Sequence, residues 1–508
     1  MCCCGGECSH GNEPAAEPYT LGRRQFLMAG GLAGAGLGLL ATSGAFAQTP
    51  DAGDGPVFEP IPKQPARIMG VFLYPPAEVV LRGEAEDAWA PHQWFTWPGN
   101  QFEPRAQHER FLREINAAAE RVGVQVEMLP EALYEDEKVA AYIEQVKAAQ
   151  PDAVLIVNFW NSFSNKAQAI IAGCGIPAIL YHPVGSHHQI PPAAFRTGPN
   201  LYYIHSIENW DAIERGFRAV HAKRQLSQSR LLRVSGGLTE RAEAYEEGLG
   251  VSVVGIPAAE FNDTFDATPA DDEVAAFARS VFERAGRITD VAENALLDAA
   301  RAHFAVQKVM ARYGADAITI QCLMLQHRKP CISFAYNNGN LVPSGCENDL
   351  NAVLTLMLGR HLFERAGFIH NPDFDTERNQ YFGSHCTCAW ELEGPGKGER
   401  PFDVRPFFHQ LPKTPALDVQ WEPGAPVVLS KYTSEKRVLD NWAGSVVSSP
   451  TCPPAGGCAT RVLVDIPNVP DICDIYNGPH PVLFAGADLP ARMRVFARLY
   501  GMELRTNV

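Results

Sequence analysis

Past its first fifty residues the sequence has no apolar run long enough to cross a bilayer, which excludes a helical membrane-spanning class for that part of the chain. It is also short of positive charge, with 43 Lys+Arg against 58 Asp+Glu and a formal net charge of -15. An acidic surface of this kind argues against a nucleic-acid footprint and against attachment to anionic lipid. No glycine-rich stretch has the spacing of a phosphate loop, Ser235-Gly236-Gly237 included, so no nucleotide is implied. No internal repeat of about 20 to 50 residues is present, which sets aside solenoids and propellers. What remains is a globular chain of 508 residues, 46% apolar, long enough for two or three domains. A neutral or metal-chelated small molecule is the partner these absences leave.

The leader reads as an address. Arg23-Arg24-Gln25-Phe26-Leu27 precedes an apolar Gly/Ala-rich run over 28–40, and Ala45-Phe46-Ala47 follows. The pattern resembles a twin-arginine export signal over 1–47, cleaved after Ala47, with a Pro-rich linker over 48–65 and a periplasmic or extracellular destination. The competing reading is a membrane anchor, but the run is shorter than the roughly 18 to 20 residues a spanning helix needs. Of the 13 cysteines, Cys2, Cys3, Cys4 and Cys8 precede the arginine pair. They leave with the signal or, with His10, bind a soft metal. The rest are odd in number, so at least one is free or intermolecular. Cys386 with Cys388, and Cys452 with Cys458, are either disulfides or reduced thiols.

Strand and helix patterns alternate from residue 67 onward. Apolar runs over 67–74, 124–129, 153–157 and 176–181 read as buried strands, and 107–122 and 137–148 carry helical periodicity. This predicts a doubly wound parallel α/β domain over 66–228. A second one is expected over 229–374, with strands near 231–234, 251–256 and 315–320, a long helical stretch over 271–313 and a loop at 337–340. From 375 to 508 the Pro- and Gly-punctuated segments, 426–429 and 461–466 among them, predict a mainly β domain.

The chemistry-bearing residues cluster late. Pro343-Ser344-Gly345-Cys346-Glu347-Asn348-Asp349 opens a helix whose apolar face is Leu350, Val353, Leu354, Met357, Leu358 and Leu362, which places Glu347 at a loop-helix junction. A capping box, Ser344-x-x-Glu347, is the plain alternative. Phe368-Ile369-His370-Asn371-Pro372-Asp373-Phe374-Asp375 follows the helix, then Tyr381-Phe382-Gly383-Ser384-His385-Cys386, and Gly478-Pro479-His480-Pro481-Val482-Leu483-Phe484 precedes a closing helix near 491–499. The order Glu, Asp, His and a distant His in a β domain resembles the fucose and arabinose isomerase family. The motifs run from about Ser344 to the C-terminus, while the earlier units match in architecture.

The resemblance implies a divalent metal on Glu347, Asp373 and His480, with His385 as the fourth ligand of the arabinose branch. It also implies that Glu347 and Asp373 form the acid/base pair of an aldose–ketose isomerase. Two carboxylates and two imidazoles suit Mn²⁺, with Co²⁺, Fe²⁺ or Mg²⁺ as other fits, and a Lewis acid there stabilises an enediolate. Asp375 competes with Asp373 for the ligand role. His385 competes for a His-Cys-x-Cys zinc set with Cys386 and Cys388, and His480 taken alone is an ordinary histidine.

In the first domain Asn158-Phe159-Trp160-Asn161-Ser162 and His187-His188 lie past the ends of expected strands, where ligands bind. Trp160, His187 and His188 are therefore candidate sugar contacts, with core packing the alternative for Trp160. The family's sites between subunits imply a homo-oligomer, a trimer or hexamer. The competing functions are an epimerase, lyase or hydrolase of sugars on the same scaffold, and an exported carbohydrate-binding protein without catalysis.

Overall fold

The computed structural model describes residues 61–76, 78, 79, 82, 84, 104–159, 164–183, 191–407, 413–451 and 457–508. The leader with Arg23 and Arg24, most of the linker, Trp160, His187, His188 and Cys452 lie outside the described residues. The chain is an α/β protein with two parallel-sheet regions and a mainly antiparallel β region at its C-terminal end.

The first sheet holds β1 (Arg67–Leu73), β2 (Gln125–Met128), β3 (Ala153–Asn158), β4 (Ala178–Pro183) and β5 (Leu201–Ser206) in the order β2-β1-β3-β4-β5, all parallel. Helices on both faces explain why β3 and β4 are buried at every position and read as unbroken apolar runs rather than alternating ones. Each fully buried Val, Leu or Ile contributes about 1.5–3 kcal/mol, so the run from Val154 to Val157 outweighs any weak local propensity. Helix Trp210–Leu226 packs against Pro104–Val122, and against Leu350–Phe363 and Leu489–Leu499 from later in the chain. One apolar core thereby spans the first sheet and the helices that follow the second.

The second sheet holds β6 (Arg230–Ser235), β7 (Ala242–Glu246), β8 (Val251–Pro257), β9 (Ala317–Ile320) and β10 (Ser344–Gly345) in the order β10-β9-β6-β8-β7, with β7 antiparallel at the edge. The helical stretch expected over 271–313 is two helices, Asp272–Phe282 and Glu293–Tyr313. Tertiary pairing divides it: Gly286 N donates to Phe402 O (2.9 Å), Val404 N to Arg287 O (2.8 Å) and Thr289 N to Val404 O (3.0 Å), which holds the segment extended.

The loop expected at 337–340 is instead mostly helix, Cys331–Gly339. Asn337 and Asn338 are turn formers by composition, but both are buried with their amides satisfied. Asn337 Nδ2 donates to Ser344 Oγ (3.0 Å) and its oxygen accepts from Gln307 Nε2 (2.9 Å). Asn338 Nδ2 donates to Ser344 O (2.9 Å) and its oxygen accepts from Ser344 N (2.9 Å). The two asparagines fasten this helix to β10, directly before Cys346 and Glu347.

The antiparallel region contains β11 (Gly367–Ile369), β12 (Asn371–Asp375), β13 (Gln380–His385), a separate hairpin of β14 (Phe402–Pro406) and β15 (Pro415–Val419), then β16 (Pro426–Thr433), β17 (Val438–Ser448), β18 (Thr460–Asp465), β19 (Val482–Ala485) and β20 (Glu503–Thr506). The main sheet runs β11-β19-β16-β17-β18-β13-β12, with β20 parallel to β17. Its two end strands, β11 and β12, are consecutive in the chain and separated by the single residue His370. The antiparallel region therefore takes in residues from Gly367, where 375 was expected as its start. Among the described residues no helix is long and apolar enough to cross a membrane.

Candidate metal centre

Parallel sheets gather function at the carboxyl ends of their strands. Cys322 lies just past β9, and Cys346 and Glu347 just past β10. Glu347 and Asn348 adopt consecutive left-handed conformations, φ 59 and 61, which non-glycine residues rarely do and which are held only where surroundings enforce them. The enforcement is visible. Arg233 Nε donates to Asn348 Oδ1 (2.8 Å) and Asn348 N to Ile320 O (3.2 Å). Gly345 cannot carry a side chain, because a Cβ there would lie 2.4 Å from Val353 Cγ2. The turn is thus fixed by contacts to β6, β9 and the following helix.

From the antiparallel region two histidines reach this turn. His385 ends β13, and His480, itself left-handed with φ 54, sits two residues before β19. Glu347 Oε1 is 3.7 Å from His385 Nε2, and Glu347 Oε2 is 3.3 Å from His480 Nε2. The rings of the two histidines stand nearly perpendicular at 88° with centroids 6.0 Å apart. One ligand atom from each of Glu347, His385 and His480 falls within 4.8 Å of the others, the spacing a single cation would gather. The histidines are buried, while the Glu347 side chain keeps 29% of its exposure, which leaves an approach from solvent.

Asp349 completes the arrangement. Its Oδ1 accepts from Ala352 N (2.9 Å), which makes it the N-cap of helix Leu350–Phe363, and its Oδ2 faces His480 Nδ1 at 2.9 Å. A carboxylate on Nδ1 places the proton there and directs the Nε2 lone pair toward Glu347, the arrangement in which histidine ligates metal with an oriented second partner. The cap of this helix is therefore Asp349 and not Ser344, which belongs to β10.

The electrostatics fit a cation. Interactions with His385 and then His480, against the cost of burial, hold the Glu347 carboxyl down to about 2. Burial opposes charge on His480, but Asp349 and Glu347 carry it up to about 8. Burial likewise opposes charge on His385, yet the Cys346 thiolate and Glu347 raise it well above the usual imidazole range. Without metal the carboxylate is neutralised by imidazolium protons, and a divalent cation would replace those protons. No protein-family model matches the chain, and no curated protein matches it.

Of the residues expected at the site, Glu347, His385 and His480 are brought together and Asp373 is not. Asp373 stands on β12 paired with Phe382, its side chain exposed and accepting from its neighbour Phe374 N (2.9 Å). Asp375, the alternative, is bound to Arg378 at 2.9 Å at the turn into β13. Strand alternation explains both: Pro372 and Phe374 project from the opposite face of β12 to the two carboxylates. Cys388 does not join His385 and Cys386 either; its thiol donates to Ala389 O (3.5 Å) within the core. Cys386, Cys388 and Cys458 are all free thiols.

Sequence reasoning missed Asp349, whose signal was an Asp directly before an apolar helical run. It also missed His370. That imidazole is fully buried, donating from Nδ1 to Phe368 O (2.8 Å) and accepting at Nε2 from the Tyr381 hydroxyl (2.5 Å). Burial brings its pKa down to about 3.

A small cavity of about 20 Å³, room for about one water, is lined by Phe374, Tyr381, Lys431, Asp440, Trp442, Tyr476, Asn477 and Gly478 among others, the last of these two residues before His480. Lys431, nearly buried, donates from Nζ to Pro479 O, one residue before His480. Asp440 lies opposite, accepting from Asn477 Nδ2 at 2.6 Å.

Proposed function

We propose that this protein is a metal-dependent sugar isomerase-like enzyme, with Mn²⁺ as the best-fitting cation. The observation that carries the reading is the convergence of Glu347, His385 and His480 within 4.8 Å at the carboxyl end of a parallel sheet. One carboxylate and two imidazoles form an O/N set without thiolate, which suits Mn²⁺ and leaves positions open for a diol. The order of two parallel α/β units and an antiparallel β region is compatible with the likeness to fucose and arabinose isomerases. The same reading carries export by the twin-arginine route and a homo-oligomer of three or six chains.

A cation in this set would act as a Lewis acid toward adjacent carbonyl and hydroxyl oxygens of an open-chain sugar. The chain's own residues then have distinct tasks. Asp349 fixes the His480 ring. Glu347 would take the proton from C2 of the aldose and return it to C1 while the O2 hydroxyl proton passes to O1, so the aldose becomes the ketose with every atom kept. Lys431, held by Pro479 O one residue before His480, would bring a positive charge toward oxygens that become negative.

A second reading, another sugar-modifying enzyme on the same scaffold, is favoured by one observation: Asp373 stands apart from the three ligands. Incubating the Mn²⁺-loaded protein with a panel of aldoses and ketoses in D₂O separates the two. Deuterium at C1 or C2 that is lost in Glu347→Gln supports isomerisation. Metal bound with no exchange into any sugar rules it out.

A further inference from the structure

Four buried cysteines meet behind His385, on the side of its ring away from Glu347. Cys322, Cys331, Cys346 and Cys386 are each no more than 2% exposed, and all are free. They come from separate places in the chain: the ends of β9 and β10, the first turn of helix Cys331–Gly339, and the residue after β13. Cys386 Sγ lies 3.8 Å from Cys331 Sγ and 3.4 Å from His385 Nδ1. Ligand atoms of Cys346, His385 and Cys386 fall within 4.8 Å of one another. Cys322 makes side-chain contact with Cys346.

We propose that Cys346, Cys386, Cys331 and Nδ1 of His385 form a second metal centre for a thiophilic cation, zinc(II) or copper(I), back to back with the Glu347–His480 set. The distances fit. With Zn–S near 2.3 Å and Zn–N near 2.0–2.1 Å, the edges of a tetrahedron are about 3.8 Å between sulfurs and about 3.6 Å between sulfur and nitrogen. The Cys386–Cys331 and Cys386–His385 separations are 3.8 and 3.4 Å. Soft thiolates select this class of cation over the Mn²⁺ that suits the oxygen-bearing side.

A second observation points the same way. Lys329 is 2% exposed, and among the described residues no carboxylate lies at ion-pair distance from it. Its Nζ donates to the carbonyls of Cys322 (3.3 Å) and Leu323 (3.1 Å) and sits 5.0 Å from the Phe407 ring centroid. A buried ammonium without a carboxylate is costly unless negative charge stands nearby. Three thiolates and one imidazole around a divalent cation carry one net negative charge, which Lys329 would balance.

The two centres share one ring. A neutral imidazole has a single lone pair, so His385 bound through Nδ1 keeps its proton on Nε2 and faces Glu347 as a donor. Filling the sulfur set therefore weakens Mn²⁺ binding on the other side.

The test uses the full mature chain, purified under reducing, anaerobic conditions and loaded with Co²⁺. Thiolate-to-cobalt charge-transfer absorption with about one cation per chain is expected in the wild type, in Glu347→Gln and in the control Cys388→Ser, and is lost in Cys386→Ser. Elemental analysis of the protein as isolated separates zinc from copper. Mn²⁺ affinity, read by electron paramagnetic resonance, should fall several-fold when zinc is loaded first, and not in Cys386→Ser. A wild-type protein with reduced thiols and no such band overturns the proposal, as does a Cys331–Cys386 disulfide found by mass spectrometry or a band that survives in both Cys386→Ser and Cys346→Ser. Absent deuterium exchange with the cobalt band intact would remove the isomerase reading and leave this centre standing.

Discussion

Asp349 divides its carboxylate between a helix and a histidine: Oδ1 caps Leu350–Phe363 through Ala352 N, and Oδ2 holds His480 Nδ1, each at 2.9 Å. The two tasks separate by substitution. Asp349→Asn keeps a capping side chain, so melting temperature changes little, but it loses the charge that fixes the His480 tautomer. Mn²⁺ affinity should fall about 10- to 100-fold, the usual effect of removing a ligand's orienting partner. Asp349→Ala loses the cap as well, at a further cost of about 1 kcal/mol. Calorimetry paired with metal titration reads both.

Asp373→Asn is predicted to leave Mn²⁺ affinity within twofold of wild type, because the Asp373 side chain is exposed and, among the described residues, bonded to its neighbour's amide. A loss of binding comparable to that in His480→Asn would restore Asp373 to the ligand set.

The metal-free protein should show a defined pH window. Glu347 falls from its usual 4.5 to about 2, so its contribution to stability is complete above about 4.5 and is lost as pH falls through 2. His480 rises from 6.5 to about 8, so its contribution is complete below 6.5 and is lost as pH rises through 8. The pair therefore stabilises the apo fold most between 4.5 and 6.5. Mn²⁺ replaces the imidazole protons, so the stabilisation it adds should grow as pH rises through 8, where His480 loses its proton, and continue to grow while His385 holds its own. Melting curves with chelator and with Mn²⁺ across this range check the sign.

Gly383 on β13 packs against His370, which joins β11 to β12, and a Cβ there would lie 2.5 Å from His370 Cδ2. Gly383→Ala must displace a buried imidazole held at both nitrogens, and overpacking of this kind costs about 1–3 kcal/mol. A lowered melting temperature is expected, and an unchanged one would mean that this packing is pliable.

The parallel strands were legible in the sequence because burial on both faces writes them as unbroken apolar runs: 153–157 became β3 within one residue. The helical stretch over 271–313 was not legible as two helices, because its break comes from pairing with Phe402 and Val404, more than a hundred positions away. Asn337 and Asn338 misled for a related reason. Their amides favour turns locally, but Ser344 and Gln307 satisfy them inside a helix. At the site, Glu347, His385 and His480 stood out by residue type and neighbourhood. Asp373 was carried over with them from the likeness to the isomerase family, and strand alternation turned it outward. The sulfur cluster was hidden, since its cysteines lie at 322, 331, 346 and 386 and only the fold brings them together.

The central claim is that Glu347, His385 and His480 hold one hard divalent cation. Mn²⁺ titration of the chelator-treated protein, followed by electron paramagnetic resonance, tests it most directly. One tightly bound Mn²⁺ per chain is predicted in the wild type, with binding weakened at least 100-fold in Glu347→Gln and in His480→Asn. Mn²⁺ that binds both variants as tightly as the wild type, or no tight site in the wild type itself, would contradict the account.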